Sequence, residues 1–440
     1  MDAEPRGRAS SDGRSEPAAT RVAVVGGGVA GLVAALAARR LGATVVLLEP
    51  HPLGGRARTD RRGGFTFNRG PRALYRGGRA EVVLRELGVD VARGGAPIVR
   101  GALAITTEGT HRLPVGPLAS IATDLFGTRE KLGAARRLLP LLRDPGPIAP
   151  DRSLAAWLDE RGTGGRVRAF LEAMVRVATY TDAPHELSAH DALTQARRAA
   201  TSGVRYLDGG FGSIVASLLS SATEAGISVR PVAARAVGHE GGGWRIATSD
   251  GPIDADAVVL ATGGPTAAAR LIGEAPPSWS RLGPPARAAC LELGVARVPS
   301  HRFALGIDRP TYLSVHAPPA ELAPAGHAVV HVMRYRRTGD DLAPEASRRE
   351  LLDVARLAGV APDDILEQRY LDAMEVTGAI PTAANGGVAG RPSVAVAHQR
   401  GLFVAGDWVG PEGQLLDAAV ASAHIAGRQA AARAGTMATA

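Results

Sequence analysis

Three glycines, Gly26, Gly28 and Gly31, stand in the spacing G-x-G-x-x-G directly after the β-branched run Arg21 to Val25, and Glu49 follows 18 residues past the last of them. This is a residue set that holds a dinucleotide. The first glycine permits a tight turn, the second lets a pyrophosphate reach the backbone, and the third lets a helix lie close to its strand. Ala30, between the last two, is counted with them as a cofactor contact. Glu49 can accept hydrogen bonds from both hydroxyls of an adenosine ribose, and an acid there disfavours a 2′-phosphate. A second loop follows at Leu53 to Thr59, where Gly55 allows close approach and Arg56 offers a planar fork of donors to a phosphate.

A glycine triplet means little by itself in a chain with 55 glycines, so the flanking elements carry the weight. Arg21 to Val25 reads as a buried parallel strand. Val29 to about Leu41 reads as a helix whose free N–H groups and positive end point at the phosphates, with Gly42 as its stop and Thr44 to Leu48 as the next strand. Phe65 to Pro71 is a short strand running into a turn fixed by Gly70 and Pro71. Ala80 to Ala200 is expected to be mostly helical, with apolar residues at helical spacing over Arg79 to Leu87, Glu130 to Leu142 and Leu154 to Thr179.

After Asp208 to Gly210 the pattern predicts a helix to about Ala225, a strand at Ile227 to Val232, and a hairpin near Gly241 to Gly243. Ala255 to Gly264 is a buried strand whose small C-terminal residues face a ligand. Alternation from Ala288 to Arg337 predicts an antiparallel sheet. Helices are expected at Pro344 to Gly359 and Pro362 to Gln368, and a strand, a Gly-Asp turn and a long helix close the chain over Gly401 to Ala431. The fold class is therefore α/β: a Rossmann-like nucleotide domain assembled from 21–75, 203–265 and 395–435, with an inserted α+β substrate domain from 76–202 and 266–394 and a loose polar tail over 1–20.

The 440 residues suffice for two or three domains, and 45% hydrophobic with 21% charged residues is ordinary for a soluble globular protein. The net charge of +8 comes from 51 basic against 43 acidic residues dispersed along the chain, so nothing points to a nucleic-acid partner. Lys131 is the only lysine. Cys290 is the only cysteine, which rules out an intrachain disulfide, favours a reducing cytoplasmic setting, and fits core packing within the apolar run Ala288 to Leu293.

Four motifs in order, Gly26-Gly27-Gly28-x-x-Gly31-Leu32, Gly54-Gly55-Arg56-x-x-Thr59, Gly209-Gly210-Phe211 opening a helix, and Gly406-Asp407 before the last helix, together resemble the flavin-containing amine oxidase and phytoene desaturase superfamily. The stretches Tyr206 to Phe211 and Gly401 to Arg428 sit closer to the desaturase branch. The resemblance implies non-covalent FAD, with Glu49 on the adenosine ribose, Arg56 beside the pyrophosphate, and Gly70 and Pro71 near the flavin ring. It further implies backbone groups of Ala234 at the adenine and Gly406 with Asp407 at the ribityl or pyrophosphate part. The helix starting near Leu415, with Leu416 and Ala418 in its first turn, would aim its positive end at the flavin C2 carbonyl, which stabilises charge on the reduced ring.

The activity so implied is removal of hydrogen from an apolar, isoprenoid-type small molecule by hydride transfer in a dry pocket, with no catalytic side chain assignable. Two features depart from the family. Its amine oxidases typically carry a lysine near the flavin on the substrate-domain sheet, and Ala288 to Arg337 has none. Arg72 follows Pro71 where many relatives have histidine; it is either a substrate anion contact or a salt-bridged arginine. The alternatives are an amine oxidase or protoporphyrinogen-type oxidase, and a non-catalytic prenyl-binding carrier, which would have no need of the three glycines, Glu49, Arg56 and Asp407. An apolar substrate favours transient contact with a membrane surface, although no segment reads as an amphipathic anchor. Oligomeric state is not encoded in any motif.

Other constellations are weaker. His185 and His190 in HELSAH are five residues apart and fall off one helix face, so they do not make a zinc site. His316, His327 and His331 are candidates for lining the substrate cavity, with core or surface packing the commoner fate of such histidines.

Overall fold

A computed structural model describes residues 19–115, 123–138, 141–144, 146–337 and 339–432. Residues 1–18 of the expected tail, and 433–435 of the expected nucleotide domain, lie outside these. Thr20 departs from the expectation of a loose tail to residue 20. It is buried, its hydroxyl donates to the Ala431 carbonyl at 3.2 Å, and its own carbonyl accepts from Thr44 at 2.8 Å.

The nucleotide unit folds as its sequence pattern demands. Arg21–Val25, Val29–Arg39 and Thr44–Leu48 form strand, helix and strand, and Gly42 breaks the helix at a φ of +87°. These two strands lie in a five-stranded parallel sheet in the order Ser228–Arg230, Thr44–Leu48, Arg21–Val25, Ala257–Leu260, Leu402–Val404. A parallel sheet is buried on both faces, which is why Ala257–Leu260 is an unbroken apolar run. The long helix Leu415–Ala432 packs on Val29–Arg39 so closely that a Cβ on Gly427 would lie 2.1 Å from the Ala34 carbonyl oxygen.

A second sheet has seven strands in the order Ile365–Thr377, Ala286–Val295, Ala328–Arg336, Thr311–Ala317, Phe303–Gly306, Leu103–Thr106, Gly109–Arg112. All neighbours are antiparallel except Phe303–Gly306 with Leu103–Thr106. Period-2 alternation divides its faces: Ala288 and Cys290 pack under the helices Thr128–Leu138, Leu154–Glu160, Gly165–Thr179 and Ala189–Thr201, while Ala289, Leu291 and Leu293 pack under Pro344–Leu357. Each fully buried Leu or Val contributes roughly 1.5–3 kcal/mol, so the two faces give this mixed-sheet domain a broad apolar base.

One expectation fails here. Pro362 to Gln368 is not a helix: one turn of 3₁₀ helix, Pro362–Asp364, leads into the 13-residue strand Ile365–Thr377. Its residues Glu367, Gln368, Leu371 and Met374 favour helix locally, but pairing with Ala286–Val295 along its whole length overrides that preference. The insertion between the first two nucleotide pieces is mostly helical among the described residues, with short strands as well. The hairpin Leu103–Thr106 with Gly109–Arg112 extends the seven-stranded sheet, and Gly94–Gly95 joins a small sheet with Leu74–Tyr75 and Val204–Leu207.

Candidate functional site

Two adjoining cavities stand out. The larger, about 810 Å³, runs from the glycine loop to the first turn of Leu415–Ala432, and the ends of four parallel strands, at Gly26, Glu49, Ala261 and Ala405, supply its floor. Gly26 turns at a φ of +112°, and a Cβ there would lie 2.3 Å from the Ala261 carbonyl oxygen. Gly31 is more crowded still, with a Cβ position 1.8 Å from the Gly26 carbonyl oxygen. Gly28 differs: a Cβ there would meet no protein atom within 4 Å and would project into the open loop. The protein therefore has no packing need for glycine at that position, whereas a phosphate at the loop would.

Glu49 ends its strand with Oε2 accepting from the Gly27 amide at 2.8 Å and Oε1 from the His51 amide at 2.9 Å. Both oxygens are fixed and keep lone pairs for ribose hydroxyls. Arg56 donates to Asp407 Oδ2 at 2.9 Å, to the Val376 carbonyl at 3.1 Å and to the Gly263 carbonyl at 3.1 Å. It thus ties three distant segments around the cavity. Burial works against its charge, but Asp407 and Glu375 outweigh it and its pKa is raised. The same pair alters the sequence expectation, because Arg56 and Asp407, read there as two separate cofactor contacts, bond to each other.

Of the expected residues, Gly26, Gly28, Ala30, Glu49, Gly55, Arg56, Pro71, Gly406, Asp407 and Leu416 line this cavity. Gly31, Gly70, Ala234 and Ala418 do not. Gly31 serves the strand–helix contact. Gly70 turns at a φ of +84° and donates its amide to Glu292 at 2.8 Å beneath Pro71. Ala234 begins the hairpin strand Ala234–Glu240 away from the cavity, and Ala418 is fully buried in its helix against the sheet. Thr262 and Gly263, among the small residues ending Ala255 to Gly264 that were expected to face a ligand, line the cavity, and so do Glu375 and Tyr180, which were not singled out. Glu375 and Tyr180 come from the sheet edge and a helix end, where nothing local marks them.

The second cavity, about 550 Å³, adjoins the first at Ala73, Tyr75 and Tyr180 and is walled by apolar side chains such as Val99, Leu141, Phe170, Met174 and Phe303. Among the described residues only Arg76 brings charge to its lining, and Arg76 is exposed. Four of the chain's 6 tyrosines, Tyr75, Tyr180, Tyr206 and Tyr312, face it. Burial pushes all four phenols up, so they are neutral donors at physiological pH. Tyr75 spends its proton on the Ala178 carbonyl at 2.6 Å. Tyr180 holds a left-handed φ of +56°, a conformation that costs a non-glycine residue about 1–3 kcal/mol and persists only where packing fixes it. Leu415, also on the cavity wall, has a φ of +53°.

The three candidate histidines are not cavity residues. His316 is fully buried and stacks on Tyr206 at 3.7 Å, His331 is fully buried beside Glu292 at 3.4 Å, and His327 packs edge-on against Phe65. Cys290, Glu292 and His331 set one ligand atom each within 4.8 Å, but Arg369 already neutralises Glu292. His185 lies in a turn and His190 in the following helix, apart from one another. Cys290 is buried in the sheet core. No described helix is long and apolar enough to cross a membrane.

Residues 24–87 match the family model of an NAD(P)-binding Rossmann-like domain. No curated protein sequence matches the chain. Among solved structures, it is similar to a putative protoporphyrinogen oxidase from Exiguobacterium sp. (21% identity, 92% of this chain and 97% of that one, TM-score 0.68). It is similar to cyclohexylamine oxidase from Brevibacterium oxydans (18%, 96% and 100%, 0.65) and to a conjugated-linoleic-acid-producing fatty acid isomerase from P. acnes (15%, 92% and 97%, 0.64). The chain has the fold of these proteins almost end to end: a Rossmann-like domain with a separate mixed-sheet domain. A fold shared by an amine oxidase, a porphyrinogen oxidase and an isomerase does not choose a substrate.

Proposed function

We propose that the chain is an FAD-dependent oxidoreductase that takes hydride from an apolar small molecule. One observation carries this reading: a cavity with a glycine phosphate loop, a ribose-type acid and a helix N-terminus opens into an apolar chamber at Ala73, Tyr75 and Tyr180. The residues fit FAD. Gly28 and Ala30 would face its pyrophosphate, Glu49 its ribose, and Pro71 and the start of Leu415–Ala432 its ring, while the Arg56–Asp407 pair would border the phosphate and ribityl region as a neutral unit. When bound, the flavin supplies the hydride acceptor. The chain's own part is to hold the substrate beside it and to exclude water with apolar walls.

Within this class, oxidation of a C–C bond is favoured over oxidation of a cationic amine. Among the described residues the chamber has no carboxylate to receive an ammonium group, and the seven-stranded sheet has no lysine. A protoporphyrinogen-type substrate remains an alternative within the same chemistry. An isoprenoid substrate and transient contact with membrane lipid are finer readings that rest on the family resemblance.

The test is the visible absorption spectrum of the purified protein, repeated after anaerobic addition of carotenoid precursors, porphyrinogens and amines in turn. A yellow protein bleached by an apolar hydrocarbon or porphyrinogen is the expected result. A colourless protein that also fails to bind added FAD would instead support a lipid-binding carrier of the same fold.

A further inference from the structure

The two cavities meet at a pair of polar side chains that the surrounding fold does not use. Arg72 lines the larger cavity, its neighbour Ala73 lines both, and so does Tyr180. The only hydrogen bond of the Arg72 guanidinium among the described residues runs from Nη2 to the Arg69 carbonyl at 3.2 Å, and its Nε is buried without an acceptor. Burial and the charge of Arg56 press its pKa down against the opposing pull of Tyr180, Glu292 and Asp407, and its described hydrogen bonds include no carboxylate. Arg56, by contrast, is paired with Asp407, and the other arginines of the cavity wall, Arg270 and Arg287, are exposed. The Tyr180 phenol is near enough for the Arg72 charge to act on it, and its backbone is fixed in the left-handed region at a φ of +56°. Rigid, strained placement of a free donor at a junction is the behaviour of a ligand contact.

We infer that the substrate is an apolar monocarboxylate, whose carboxylate sits on the Arg72 fork and the Tyr180 hydroxyl while its hydrocarbon part fills the apolar chamber. This rests on the assignment of that chamber as the substrate site. One guanidinium and one hydroxyl supply a single positive charge and donors in a planar array, which matches a carboxylate. A phosphate monoester carries about −1.5 to −2 at neutral pH and would need a second cation. An ammonium group would stand against Arg72.

The experiment is calorimetric titration of decanoate, decanamide, decyl phosphate and decylamine into the full-length protein, with and without FAD. Decanoate should bind, and decanamide should bind roughly tenfold or more weakly. Arg72→Gln should weaken decanoate roughly 10- to 100-fold, and Tyr180→Phe by a smaller factor, without loss of FAD. If Arg72→Gln does not fold, Arg72→Lys reads the same contrast, because it keeps the charge but loses the fork.

The inference is overturned if Arg72→Gln binds decanoate like the unaltered protein, if decyl phosphate or decylamine binds more tightly, or if none of the four binds. It is also overturned if Arg72→Gln releases FAD but keeps decanoate, since the arginine would then serve the cofactor. A protein that takes up no FAD yet binds decanoate through Arg72 would sink the redox reading and leave this one standing. A flavin bleached equally in the unaltered and Arg72→Gln proteins by a neutral hydrocarbon would do the reverse.

Discussion

Glycines of one motif can be separated by what a methyl group would meet. At Gly31 it would drive into the Gly26 carbonyl oxygen at 1.8 Å, so Gly31→Ala forces the helix off its strand. At Gly28 it meets no protein atom within 4 Å. Gly28→Ala is therefore expected to fold with stability within about 1 kcal/mol of the parent, yet to lose at least about tenfold in FAD affinity, because the methyl occupies the phosphate's approach. Gly31→Ala is expected to lose several kcal/mol, in the range of overpacked cores. Urea unfolding and flavin titration of the two variants check this together. Equal FAD affinity in Gly28→Ala and the parent would remove the phosphate from that loop.

At the scale of elements, the strand Ile365–Thr377 shows what a local pattern cannot carry. Its partner across the sheet supplies Glu292, fully buried, which accepts from the Gly70 amide and pairs with Arg369 of this strand, and Arg369 also reaches Asp60. Burial pushes the Glu292 carboxyl up, but the approach of His331 at 3.4 Å, together with the Arg369 guanidinium and the Gly70 amide, outweighs it and holds it below the usual range. A carboxyl lowered in the folded state adds stability that is fully present above its unfolded pKa, about 4.3, and is lost as pH falls through the folded value.

Arg369→Leu removes the guanidinium from a fully buried carboxylate and leaves it only the Gly70 amide and His331, at a cost of up to about 3–5 kcal/mol at neutral pH. Its loss of stability, read by urea unfolding across pH with circular dichroism, should be largest at neutral pH and shrink as pH falls and the carboxyl takes up a proton. No change in that profile would mean the pair contributes nothing. The strand–helix–strand unit at Arg21 to Leu48 was readable because its signals lie within thirty residues of each other. Ile365–Thr377 was not, because its helix-favouring residues become a strand only through pairing with Ala286–Val295. Tyr180, Glu375 and the Arg56–Asp407 bond were unreadable for the same reason: each depends on a contact across the chain, the last joining residues 351 positions apart.

At the scale of the molecule, the larger cavity is a joint rather than a pocket in one part. Its wall takes Gly26, Gly28 to Ala30 and Gly54 to Ala57 from the first piece of the nucleotide domain, Ala261 to Pro265 from the second, and Gly406, Asp407, Leu415, Leu416 and Ala419 from the last. Arg56 bonds already cross these pieces. A ligand filling the joint must stabilise all of them at once, and by linkage FAD at one hundred times its Kd adds about 2.7 kcal/mol. Amide hydrogen exchange should therefore slow on FAD addition in all three pieces together, by a similar free energy, with a rise in Tm of a few degrees. Slowing confined to residues 24–57 would mean that the ligand engages the first piece alone, and the C-terminal helix would then have no part in holding the flavin.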